Sequence, residues 1–153
     1  MVESIRKISK ESTSEFIHEH WDSWFIKGLS DFISVPNLTP MVDAEYLTNG
    51  NIEKAIATVD EYVNKLQIQG LTRHIVQPEG FPPLVVYVID GQGSETNLML
   101  YGHLDKQPWM EPWDEGLGPT TPVVRNGKLY GRGAVDDGYA VFASMLAIKN
   151  LQQ

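Results

Sequence analysis

The stretch Asn97-Leu98-Met99-Leu100-Tyr101-Gly102-His103-Leu104-Asp105 decides the fold. Its apolar run ends on a glycine and reads as a buried β-strand. Upstream, Leu84-Val85-Val86-Tyr87-Val88-Ile89 is a strong strand and Leu71 to Val76 a plausible one, with Asp90-Gly91-Gln92-Gly93 as a turn. In extended backbone, residues i and i+2 point to one face. His103 and Asp105 therefore project together beyond the carboxyl end of a strand, where α/β proteins place their sites.

Helical patterns flank these strands. Ser14 to about Ile33 carries Ile17, Trp21, Trp24, Phe25, Leu29 and Phe32 at helical spacing, with Ser12, Thr13 or Ser14 as N-cap. Asn51 to about Gln69 places Ile52, Ala55, Ile56, Val59, Val63 and Leu66 on one stripe, and Gly70 follows as the C-cap. Pro108, Trp109, Pro112, Trp113, Gly116, Gly118 and Pro119 mark a long ordered loop over 107–122. Asn126-Gly127 between Val123-Val124-Arg125 and Lys128-Leu129-Tyr130 is a hairpin signal. Asp137 to about Leu151 is a last helix, apolar nearly all round, that needs burial. Helices and strands alternate, so the fold class is α/β, part of a mixed sheet flanked by helices.

Composition narrows the function. The chain has 153 residues, 12 Lys+Arg and 20 Asp+Glu, a net charge of −8. That balance excludes a nucleic-acid backbone or an anionic membrane as the main partner. No cysteine is present, which excludes thiolate zinc ligands and a cysteine nucleophile. The charges within Met1 to Ile8 interrupt any signal-peptide core, and no apolar stretch is long enough to cross a bilayer. The expected compartment is the cytoplasm.

An imidazole beside a carboxylate is a metal-ligand arrangement, one nitrogen for the metal and the other donating to the acid. His103 and Asp105 have that spacing. So do His20 and Asp22, but on a helix, where i and i+2 do not face each other. His18 and His20 therefore read as surface or packing residues, as does His74, alone in a strand. The second candidate is Tyr130-Gly131-Arg132-Gly133-Ala134-Val135-Asp136-Asp137-Gly138, between a short strand and the last helix. Its glycines permit close approach and positive φ. Its two carboxylates serve either as an acidic N-cap or as ligands. A dinucleotide fingerprint fits poorly, because Asp136 occupies the third glycine position and would repel a pyrophosphate. Together the two stretches supply a histidine and a carboxylate able to bridge two metals, the start of a two-metal hydrolase.

Gly102-His103-Leu104-Asp105 and Gly131-Arg132-Gly133-Ala134-Val135-Asp136-Asp137 resemble the two signature motifs of the di-zinc metallopeptidase family twenty. That family includes carnosinase-type dipeptidases, carboxypeptidase G, aminoacylase and succinyl-diaminopimelate desuccinylase. Lys106-Gln107-Pro108-Trp109 through Trp113-Asp114, with Gly127-Lys128-Leu129-Tyr130, look like its carnosinase-like branch. The resemblance is strong from Leu84 to Gln153 and loose over the N-terminal helices. It implies a zinc-exopeptidase-like catalytic domain whose first portion is residues 1–153, with 1–70 a helical lead-in, 71–153 carrying strands, metal-site loops and the last helix, and the lid or dimerisation domain absent.

By position, the resemblance makes His103 a ligand of one zinc, Asp136 the carboxylate bridging both, and Asp105 the catalytic-site acid that orients His103. It implies a cis Asp136–Asp137 peptide. It implies two Zn2+ per complete site, with Mn2+ or Co2+ as substitutes, and a small peptide or N-acyl amino acid as substrate. Full-length relatives are often homodimers. Gly138-Tyr139 stands where the family often has Lys then Gly. The family's general-base Glu and remaining ligands lie later in its chain, so residues 1–153 are expected to bind metal poorly unless the missing C-terminal half is supplied. A non-catalytic binding module, with Trp109 and Trp113 as its aromatic surface, is the alternative from another class.

Overall fold

Ser9 starts the first helix, one turn before the expected cap at 12–14: its Oγ accepts from the Ser12 N–H at 3.0 Å. The computed structural model describes residues 9–91 and 93–153. The reading of Met1 to Ile8 and the Gln92 position of the expected turn lie outside the described residues. Helix α1 (Lys10–His20) continues through a π-helical segment (Trp21–Ile26) into α2 (Lys27–Ile33). Helix α3 (Asn51–Lys65) buries Ile52, Ala55, Ile56, Val59 and Val63, the expected stripe, and adds Tyr62. It ends at Leu66 and not at Gly70, because the Leu66 N–H turns back to Val63 and Gln67 takes a positive φ of 49°. Gly70, with φ 71°, instead leads into the first strand.

Strand β1 (Leu71–Val76) pairs antiparallel with β2 (Leu84–Ile89), Leu71 opposite Ile89. Val85, Tyr87 and Ile89 face the helices, while Leu84, Val86 and Val88 lie outward. Strands β3 (Val123–Arg125) and β4 (Lys128–Tyr130) form the expected hairpin, with Asn126 and Gly127 at φ 53° and 71° in its turn.

The segment 97–102 corrects the sequence reading. It is not a buried strand: Leu98, Met99 and Tyr101 are about 84, 89 and 78% exposed. Among the described residues, both sheets are two-stranded and neither includes it. A strand needs a neighbour to bond its backbone, and none of the described strands lies alongside.

Helix α4 (Tyr139–Leu151) packs on α1, α2 and α3 through Phe142, Met145 and Leu146. At the centre, Trp24 and Tyr62 meet Phe142 edge-on at 5.7 and 6.0 Å, and the Trp24 Nε1–H donates to the Tyr62 carbonyl at 2.9 Å. Gly28 makes this approach possible, since a Cβ there would lie 2.7 Å from Phe142 and 2.8 Å from Tyr62. Among the described residues no helix is long and apolar enough to cross a membrane.

Candidate metal centre

Two loops meet at the start of α4. The first leaves Gly102, whose missing Cβ would sit 3.0 Å from the Ala140 Cβ, so the backbone runs close against the helix. The second crosses from β4 through Gly131 to Gly138. In it Gly133 has φ 86°, and Asp136 and Asp137 are non-helical on either side of a cis peptide bond. Gly138, and not either aspartate, occupies the N-cap of α4. That displaces the acidic N-cap reading and leaves both carboxylates to face the first loop.

The structure brings His103, Asp105 and Asp136 together. His103 Nδ1 lies 3.1 Å from Asp105 Oδ1 and 3.1 Å from the Asp105 carbonyl. His103 Nε2 lies 3.0 Å from Asp136 Oδ1. The His103 backbone N–H donates to Asp137 Oδ2 at 3.3 Å. Burial of the ring disfavours its charge, but the Asp105 and Asp136 carboxylates with the Asp105 carbonyl outweigh it and raise the His103 pKa above its ordinary 6.5.

The donor set suits a divalent metal. Zinc holds nitrogen and oxygen ligands at about 2.0–2.2 Å in a tetrahedron, which separates two donors by about 3.4 Å. His103 Nε2 and Asp136 Oδ1 need move apart by only a few tenths of an ångström to reach that spacing. Asp105 places acceptors against the other ring nitrogen, the arrangement that orients a metal-binding imidazole. Among the described residues no group of three or more His, Asp or Glu side chains surrounds a metal position, so this chain offers part of a shell.

The other histidines stay apart. His18 and His20 turn their Nδ1 to the carbonyls of Ser14 and Phe16 at 2.7 and 2.9 Å, within α1. His74 lies opposite Val86 in the β1–β2 pair. Trp109 and Trp113 fasten their own loop: the Trp113 Nε1–H donates to the Trp109 carbonyl at 2.8 Å, and the Arg132 guanidinium lies 5.9 Å from the Trp113 ring.

Sequence reasoning missed Lys106 and Asn37. Lys106 is completely buried, and burial pushes its pKa down to about 7. Asn37 donates to the Leu104 carbonyl at 2.7 Å and so braces the chain just before Asp105. Asn37 between two prolines carried no chemical pattern, and Lys106 between Asp105 and Gln107 looked like surface.

Residues 99–153 match the family described as Peptidase family M20/M25/M40. The matched residues take in both candidate loops. It is 31% identical over 131 residues to an uncharacterized metallohydrolase of Methanocaldococcus jannaschii, covering 81% of this chain and 31% of the relative. It is 28% identical over 137 residues to a Cys-Gly metallodipeptidase of Schizosaccharomyces pombe, covering 86% and 28%. Over 55 residues it is 46% identical to a succinyl-diaminopimelate desuccinylase of Wolbachia pipientis, covering 36% of this chain and 14% of the relative. The fold resembles that of human carnosine dipeptidase 1, with a TM-score of 0.66 at 22% identity, covering 93% of this chain and 31% of that one. The chain thus spans under a third of the length of these proteins. The α/β class holds, with its strands in two small antiparallel pairs. The relatives matched are named as a metallohydrolase, a metallodipeptidase and a desuccinylase.

Proposed function

We propose that residues 1–153 form the N-terminal portion of a zinc-dependent amide hydrolase acting on small peptides, with His103 a ligand of one metal, Asp136 the bridging carboxylate and Asp105 the acid that orients His103. The 3.0 Å approach of His103 Nε2 to Asp136 Oδ1, across loops 33 residues apart in sequence, supports this reading. A divalent metal held by His103 and Asp136 would supply Lewis acidity toward a water and the scissile carbonyl. The chain's own residues prepare for it. The Asp105 acceptors hold the Nδ1 proton, which turns the Nε2 lone pair outward. Asp137 anchors the His103 backbone, and Gly102 and Gly133 let the two loops close on each other.

The dipeptide reading draws on the S. pombe relative. The Wolbachia relative, 46% identical over 55 residues, supports a second substrate class, an N-acyl amino acid. In this reading activity needs further donors and a general base, supplied by additional polypeptide corresponding to the rest of the relatives' length. The test is hydrolysis of a dipeptide and of an N-succinyl amino acid with Zn2+, by the chain complemented with that polypeptide. His103→Ala and Asp136→Ala should each lower kcat at least a thousandfold, while His20→Ala leaves it within twofold. Equal effects at His103 and His20 would overturn the assignment.

A further inference from the structure

We propose that Lys106 is the positioning residue that pins both candidate ligand loops to the last turn of α2. The proposal rests on reading His103 and Asp136 as ligands, but its structural content stands apart from any metal.

Lys106 has no carboxylate partner among the described residues. Its Nζ instead donates to the carbonyls of Phe32, Ile33 and Val35 at 2.8, 3.1 and 2.5 Å. An ammonium has three donors, and the last turn of a helix leaves carbonyls without intrahelical partners, so the two sets satisfy each other. The negative end of the helix dipole adds to the match.

The backbone and stem of Lys106 tie this anchor to both loops. Its N–H donates to the Asn37 carbonyl at 3.0 Å, and its carbonyl accepts from Thr39 at 2.8 Å, which fixes the chain just after His103 and Asp105. Its stem runs against the second loop, where a Cβ on Gly133 would lie 2.9 Å from Lys106 Cε. The Phe32 ring, 4.3 Å from Lys106 Nζ, closes the other side, since a Cβ on Gly138 would lie 2.3 Å from it. One residue of the His103 loop thus reaches, through its side chain, both the helix end and the base of the Asp136 loop.

Lys106→Met keeps the stem and removes the three donors. In amide hydrogen exchange on the full chain, the Thr39 and Gly138 amides should exchange at least tenfold faster in this variant, while Ala55 and Val59 in α3 keep their wild-type rates. Unchanged rates at Thr39 and Gly138, or a uniform acceleration that includes α3, would overturn the proposal. Should the variant fail to fold, the wild-type chain decides. A slowly exchanging Lys106 ammonium with nuclear Overhauser contacts to the Phe32 ring and the Gly133 α-protons supports the pin, and the lack of those contacts refutes it. Failure of the metal reading would appear separately, as Zn2+ leaving the His103 ring signals of the complemented wild-type protein unmoved, and would not alter the exchange result.

Discussion

Asp31 accepts a hydrogen bond from the Tyr62 hydroxyl at 2.5 Å and one from Lys27 Nζ at 3.0 Å. Burial raises its pKa, but the hydroxyl and the ammonium outweigh it and hold the carboxyl below its ordinary 3.8. A depressed carboxylate pKa contributes stability above the unfolded value, and that contribution is lost as pH falls through the folded value. Because the carboxylate is half-exposed, the contribution is under about 1 kcal/mol. Urea unfolding should therefore show wild type slightly more stable than Asp31→Asn at pH 6, with the gap closing as the pH falls below about 4. At this scale, the approach of the His103 ring to the Asp105 carboxylate was legible in their spacing, because residues i and i+2 in extended backbone share a face. Lys106 was illegible, because its burial depends on carbonyls some seventy residues earlier. Asp137 was half legible: the sequence marked it as an acid beside the site, but only the turn of the loop shows that it holds the His103 amide.

The helices are legible where one face alone meets the core. In α3 the apolar stripe fixed both identity and buried face, and only its C-terminus slipped, because Gln67 and not a glycine adopts the left-handed turn. In the first helix the pattern began late: Lys10 to Thr13 carry no apolar signal, and the Ser9 cap sets the start. Helix α4 reads as apolar all round, yet only Phe142, Met145 and Leu146 are fully buried. Phe142 is the ring on which Trp24, Phe25 and Tyr62 converge. Phe142→Ala should cost about 3–5 kcal/mol, read as a fall in the urea midpoint with an unchanged slope. The segment 97–102 shows the opposite limit: its composition is that of a strand, but composition cannot supply the neighbour that makes one.

The whole molecule is a helical core with the two candidate loops at the start of α4 and the exposed run 98–101 leading into the first of them. The core draws on both ends of the described chain. Gln152 in the last turn exchanges hydrogen bonds with the Gln69 backbone at 2.8 and 3.0 Å, and Asn150 reaches Thr13 at 3.3 Å. Chymotrypsin under native conditions should cut first at Leu98, Met99 or Tyr101, and denaturing electrophoresis would show two fragments. Those fragments should still elute together from gel filtration, because α4 lies on the far side of the nick from the three helices that clasp it. On that expectation the apolar run can be severed, exchanged or ligated to foreign sequence without dissolving the body that carries it, which makes it a natural seam for rebuilding the protein from separately made pieces.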